Sequence, residues 1–163
     1  MKILVTNADE TIKLGEIIGK SLEAGSIIAL RGDLGAGKTV LVKGIARGLE
    51  IEDEPVSPTF VIMNAYEGEI PLYHFDLYRI SGADELTGIG ADEFLFGEGV
   101  SAVEWAERVD EILPPYTIYI DIKMPGPDSG AEENTREIRI EGKKEWVSSF
   151  RSTAEQAFPA STR

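Results

Sequence analysis

With 163 residues, the chain is long enough for one domain with a hydrophobic core and too short for two ordinary ones. Its 42% hydrophobic and 28% charged residues are globular proportions. No apolar run nears the roughly 20 residues of a membrane span, and without cysteine there are no disulfides, thiolate nucleophiles or cysteine metal sites. The net charge of −13, from 16 Lys+Arg against 29 Asp+Glu, supplies no basic patch for nucleic-acid phosphates. Acidity of this kind aids solubility; in a nucleic-acid pathway, a partner would hold the nucleic acid. These features fit a cytoplasmic protein with no membrane association.

The opening residues 1–6 carry one charge and a very short apolar run before Asp9 and Glu10, so they read as a first strand and not as a signal peptide. Residues 11–23 place Leu14, Ile18 and Leu22 at four-residue spacing with Ile17 beside them, one apolar helical stripe that Gly25 closes. Residues 26–30 are nearly all apolar, the texture of a buried parallel strand. Residues 39–49 turn helical, with Leu41, Ile45 and Leu49 on one side. Residues 59–66 and 71–79 are rich in β-branched and aromatic types and flank Gly68-Glu69, which predicts an antiparallel hairpin.

Residues 83–95 predict one or two short helices broken by Gly88 and Gly90, and 100–103 another buried strand. A helix over 105–113 is stopped by Pro114-Pro115. Strands over 116–123 and 137–141 are joined by the turn-rich stretch 125–134. This alternation predicts a small α/β domain with a partly parallel sheet and an antiparallel flank. One domain over 1–142 is followed by a tail, 143–163, helical to 158 and frayed beyond.

Gly32-Asp33-Leu34-Gly35-Ala36-Gly37-Lys38-Thr39 satisfies G-x-x-x-x-G-K-[ST], between the predicted strand and helix that a phosphate-binding loop requires. The glycines permit positive φ and keep Cβ atoms out of the way of a phosphate. Consecutive N–H groups then form an anion nest at a helix start. Lys38 sets a point charge on the β- and γ-phosphates, and the Thr39 hydroxyl can ligate Mg²⁺. An ordinary glycine-rich turn is the bland alternative.

Proteins with this loop hold Mg²⁺ with a second acid at the end of a buried strand. Glu104, closing Val100-Ser101-Ala102-Val103, is the candidate; otherwise it is a solvated acid opening the next helix. In His74-Phe75-Asp76-Leu77-Tyr78-Arg79, strand alternation puts His74, Asp76 and Tyr78 on one face and Phe75 and Leu77 on the core face. Asp76 can position a water or hold Mg²⁺ through one. His74 is the only histidine, which excludes a His-cluster metal site, and a lone histidine is commonly structural. In Ser57-Pro58-Thr59-Phe60, Thr59 can sense the γ-phosphate and Mg²⁺, or the segment is a strand-entry turn.

The ordered set of the loop at 32–39, Ser-Pro-Thr-Phe at 57–60, His-Phe-Asp-Leu-Tyr-Arg at 74–79 and Val-Glu-Trp at 103–105 resembles the TsaE family, the small ATPase of bacterial tRNA threonylcarbamoyladenosine (t6A) biosynthesis. Glu10-Thr11 with Leu14-Gly15 is also similar, and Arg136–Ile140 more loosely so. The resemblance implies a three-layer P-loop NTPase-like domain with a central, mostly parallel sheet and antiparallel flanking strands. It implies that Leu34, Gly35, Ala36, Gly37, Lys38 and Thr39 bind ATP, that Thr39 and Glu104 ligate Mg²⁺, and that Asp76 is needed for hydrolysis. It places base contacts before Thr11 and near Arg136. Its implied partners are TsaB and TsaD; TsaD transfers the threonylcarbamoyl group to tRNA, which TsaE-type proteins meet only through the complex whose turnover their ATP hydrolysis supports. An isolated site of this kind can lack a stabilising group that a partner supplies in trans, so activity alone is expected to be weak. Two positions depart from the family: Glu50 stands where glycine is common, and Ala106 where proline is common.

A small-molecule kinase shares the loop and the size, but needs a lid whose arginines clamp the transferred phosphoryl. Arg108, Arg136, Arg139, Arg151 and Arg163 form no such cluster in the sequence. A GTPase switch lacks both an Asn-Lys-x-Asp segment and a glycine placed after Asp76 to sense γ-phosphate.

Overall fold

The computed structural model describes residues 1–58 and 60–159. Thr59, and with it the sensor role expected there, lies outside the described residues, as does the expected frayed end beyond Pro159. The elements are β1 (Lys2–Val5), α1 (Ala8–Lys20), β2 (Ile27–Arg31), α2 (Lys38–Gly48), β3 (Met63–Tyr66), β4 (Leu72–Asp76), α3 (Ala83–Gly88), α4 (Asp92–Leu95), β5 (Val100–Glu104), β6 (Ile118–Lys123), β7 (Arg136–Glu141) and α5 (Lys144–Ala157). Among the described residues no helix is long and apolar enough to cross a membrane.

One sheet runs in the order β1-β7-β6-β2-β5-β4-β3. The four central strands, β6, β2, β5 and β4, are mutually parallel. β7 and β1 continue the sheet antiparallel on one flank, and β3 closes the other as a hairpin with β4. This is the expected mostly parallel centre with antiparallel flanks. Alternate residues of the strands feed two cores. Ile28, Leu30, Ala102 and Ile120 pack under α1, α2 and α5, while Ile27, Ala29, Phe75 and Val103 pack under α3, α4 and the segment after β5. Phe150, Ala154 and Phe158 join the first core, so α5 is docked onto the domain.

Local chemistry shifts several expected boundaries. α1 begins at Ala8 because the Asn7 side chain accepts the Glu10 N–H at 2.9 Å while Glu10 reaches back to the Thr6 N–H at 2.7 Å. That reciprocal cap lies upstream of the apolar stripe of Leu14, Ile18 and Leu22. Gly25 does not close α1, which ends at Lys20; at φ +87 it turns the chain into β2, donating its N–H to Gly99 O at 3.0 Å. Residues 106–112 form 3₁₀ turns, not the expected α-helix, with Val109 outside helical angles. The tighter turn puts the buried Ala106 and Val109, three residues apart, on one side. β4 stops at Asp76, so Tyr78 reaches the rim by a turn and not by strand alternation.

α1 and α2 meet backbone to backbone through two pairs of glycines. A Cβ on Gly44 would stand 2.8 Å from Gly15 Cα, and one on Gly19 would stand 2.9 Å from Gly48 Cα. No side-chain movement relieves such a contact, so α2 is seated by shape and not by adjustable packing. At its far end α2 finishes in a Schellman turn, Ile51 N–H donating to Ala46 O at 3.0 Å, with Glu50 in the left-handed conformation at φ 59.

Two substitutions of opposite sign test this reading by denaturant unfolding. Gly44→Ala lowers the unfolding free energy by about 1–3 kcal/mol through overpacking, which exceeds the roughly 0.5–1 kcal/mol by which alanine favours a helix. Glu50→Gly raises stability by about 0.5–1 kcal/mol, the left-handed penalty of roughly 1–2 kcal/mol less the chain entropy glycine loses. A neutral Gly44→Ala would show that the helices can part without cost.

Candidate functional site

The loop at 32–37 leaves β2 and enters α2 with its three glycines in two different roles. Gly32, at φ +150, lies so close to β6 that a Cβ would stand 2.6 Å from Ile122 O. Gly35 at φ +79 and Gly37 at φ +105 have open space where a Cβ would go and are needed for their backbone angles alone. The N-cap of α2 is Gly37, which has no side chain to cap the helix. Its first N–H groups have no partner within the helix, and a polyphosphate is the ligand that such a terminus accepts.

Lys38 folds back over the loop. Its Nζ donates to Gly32 O at 2.5 Å and Asp33 O at 3.0 Å, and sits 4.2 Å from the centroid of the Trp105 ring. Burial pushes the Lys38 ammonium below the usual lysine range, while the carboxylates of Glu104, Glu107, Asp76 and Asp33 pull the other way.

The sheet register brings the acids to this helix start. Leu30 of β2, Glu104 of β5 and Asp76 of β4 lie in one row across three parallel strands. Glu104 is buried at 4% exposure, and its Oε1 accepts the Thr39 hydroxyl at 2.7 Å and His74 Nε2 at 2.7 Å. Asp76 accepts the Ser57 hydroxyl on Oδ2 at 3.0 Å and the Tyr78 N–H on Oδ1 at 3.0 Å. Its own N–H donates to the carbonyl of Ile62, a β-branched residue held at φ 68. A cleft of about 480 Å³ contains Gly35, Gly37, Lys38, Thr39, Asp76 and Glu104 together, with Leu34 on its rim. A larger cleft, of about 630 Å³, lies beside Gly25 and Trp146 at the opposite end of the parallel strands. In open parallel sheets ligands bind at the carboxyl ends of the strands, where the smaller cleft lies. The hydroxyl of Thr39 and the carboxylates of Glu104 and Asp76 form an all-oxygen donor set, the kind that suits Mg²⁺ held jointly with substrate phosphates. Ala36 is buried beneath the loop, and contributes to it through its backbone.

Several contacts were not visible in the sequence. Trp105 follows Glu104 in the left-handed conformation, φ 58, which for a bulky residue is an outlier of the kind that collects at functional sites. Tyr78 packs its ring 4.9 Å from that of Trp105. Among the described residues of the 57–60 segment, Ser57, one residue before the proline, is the partner of Asp76. Arg136 opens β7, whose antiparallel direction places that residue at the loop's end of the sheet. Its Nε donates to Ala36 O at 3.0 Å, while Nη1 donates to the carbonyls of Glu133 and Thr135, each at 2.8 Å. The guanidinium thus ties the phosphate loop to the loop at 133–135. Only the family resemblance pointed to its neighbourhood, because the pairing spans 100 residues.

A parallel-centred sheet whose glycine loop enters a helix beside the acid-bearing tip of the next strand defines a P-loop NTPase fold. A family model described as threonylcarbamoyl adenosine biosynthesis protein TsaE matches residues 5–137, and the chain belongs to that family. It is 43% identical over 124 residues to the tRNA threonylcarbamoyladenosine biosynthesis protein TsaE of Treponema pallidum, covering 76% of this chain and 92% of that one. To the TsaE of Bacillus subtilis it is 42% identical over 129 residues, covering 78% and 80%. The crystal structure of Bacillus subtilis YdiB superposes with a TM-score of 0.75 at 33% identity, covering 96% of this chain and 95% of that one.

Removing the Arg136 grip by Arg136→Gln speeds hydrogen exchange of the 35–37 amides about tenfold, corresponding to a charge-assisted hydrogen bond of roughly 1.5 kcal/mol. Exchange in β2 and β6 stays unchanged. Equal loop exchange in both proteins, followed by mass spectrometry, would show that the loop holds its own shape.

Proposed function

We propose that this chain binds ATP with Mg²⁺ in the cleft at the start of α2 and hydrolyses it, and that this ATPase supports turnover of a t6A-forming complex with TsaB and TsaD in the cytoplasm. One observation carries the reading: Lys38, Thr39, Asp76 and Glu104, from three separated stretches of chain, border a single cleft at a helix N-terminus. In this reading the loop amides and Lys38 bind the β- and γ-phosphates. Thr39 and Glu104 would hold the cation, which when bound neutralises charge on the phosphate oxygens. Asp76, anchored through Ser57 and the Tyr78 N–H, orients the attacking water.

The membership in the TsaE family supports the pathway, and the net charge of −13 supports a division of labour in which partners, and not this chain, hold the tRNA. TsaB and TsaD are the partners expected for such a subunit, and a group supplied by one of them in trans accounts for low activity alone.

Phosphate release is the test, measured for the full chain alone and mixed with TsaB and TsaD. The expected result is slow turnover alone and a marked rise in the mixture. Lys38→Ala lowers ATP affinity roughly 10- to 100-fold, as loss of a charged hydrogen bond of about 1.5–3 kcal/mol requires. Wild-type affinity in Lys38→Ala by titration calorimetry, or equal rates with and without the partners, would sink the corresponding part of the proposal.

A further inference from the structure

His74 is fully buried at 0% exposure, on the same face of β4 as Leu72 and Asp76. It pairs across to Ala102, so on β5 the next residue along that face is Glu104. Its Nε2 lies 2.7 Å from Glu104 Oε1. Its Nδ1 is buried and has no hydrogen-bond partner among the described residues. A carboxylate oxygen only accepts, so Nε2 donates the proton of that bond and Nδ1 is left unanswered. Leucine or phenylalanine would fill such a site without leaving a buried polar atom unpaired, and an unpaired polar atom costs free energy. Among the described residues the whole polar yield of the ring is therefore the one bond to Glu104.

That bond has a consequence for the carboxylate. Oε1 also accepts the Thr39 hydroxyl at 2.7 Å. Among the described residues both hydrogen bonds of the Glu104 side chain end on Oε1, one from the phosphate-loop helix and one from the neighbouring strand. Two donors from two elements over-determine the rotamer, and Oε2 takes no hydrogen bond from either.

We propose that His74 is a positioning residue for cation binding: by donating Nε2–H to Glu104 Oε1 it holds that carboxylate in one rotamer, with Oε2 left for Mg²⁺. The inference rests on the Mg²⁺ role given to Glu104 under Proposed function. Outer-shell donors of this kind orient the ligating carboxylate and sharpen the site for its ion. Hydrolysis chemistry is not asked of the imidazole, which touches Glu104 and lies beneath the cleft.

The test is binding, not turnover. Affinity of the full chain for the non-hydrolysable ATP analogue adenylyl imidodiphosphate is measured calorimetrically with Mg²⁺ and with EDTA, for wild type, His74→Leu, His74→Gln and His74→Asn. Wild type binds more tightly with Mg²⁺. His74→Leu keeps its EDTA affinity within about twofold but loses roughly tenfold of the Mg²⁺ enhancement, the lower end of outer-shell effects. His74→Gln, whose amide nitrogen reaches the same place, recovers most of it, and the shorter His74→Asn does not. An unchanged enhancement in His74→Leu overturns the proposal, and so does an equal loss with and without Mg²⁺, which marks a purely structural ring. If His74→Leu fails to fold by circular dichroism, the Gln and Asn variants decide, and equal enhancement in those two overturns it. Absence of any enhancement in wild type is a separate result: it removes the Mg²⁺ reading of the cleft itself, and this inference with it.

Discussion

The hydrogen bond from Thr39 to Glu104 joins residues 65 apart in sequence and sets the geometry of everything at the mouth of the sheet. It is possible because β2 pairs directly with β5, with Leu30 opposite Glu104, so the phosphate loop leaves the sheet one strand away from the acid. β4 then pairs with β5 in a register that sets Asp76 beside Glu104. Any one-residue slip of these strands would turn the acids to the opposite face, toward the core of Phe75 and Val103. The buried strands on either side specify the register strongly, since Ile28, Leu30, Val100 and Ala102 share one core.

Rigidity behind the site comes from the helix pair. α2 carries Lys38 and Thr39, and its back rests on α1 through glycines whose Cα atoms leave no room for a methyl group. Close-packed backbones have no rotamers to exchange, so the helix cannot tilt in small steps. Strain is then tolerable at the front. Trp105 and Ile62 both adopt positive φ, and both sit next to an acid of the cleft, one following Glu104 and the other holding the Asp76 N–H. Each persists because strand pairing and the surrounding bonds leave no easier alternative. Glu50 adopts the same backbone region remote from the acids, where the helix-ending turn demands it.

Electrostatically the cleft is crowded with opposing terms. Two adjacent carboxylates repel, and each is compensated by donors: Ser57 and the Tyr78 N–H for Asp76, Thr39 and His74 for Glu104. Lys38 is drawn toward its neutral form by burial and toward its charged form by those same acids. It rests on loop carbonyls and the Trp105 ring. A site so arranged suits ligands that bring both signs of charge together, a polyphosphate and a divalent cation.

The sequence by itself determined the class of fold and the position of the phosphate loop. The spacing of glycines, lysine and threonine in 32–39 is a local pattern, and local patterns are legible because only neighbouring residues decide them. The same holds for the apolar run of β2, the hairpin of β3 and β4, and the acid that ends β5. Helix ends were legible less well: Asn7 capped α1 before its apolar stripe began, and Gly25 served a turn beyond its end. Tertiary structure alone decided the row of Leu30, Glu104 and Asp76, the grip of Arg136 on Ala36 across 100 residues, the seating of α1 on α2 and the coupling of His74 to Glu104. These depend on which strands become neighbours and in what register. Strand order is settled by burying two cores at once, a property of the assembled sheet that no single segment carries.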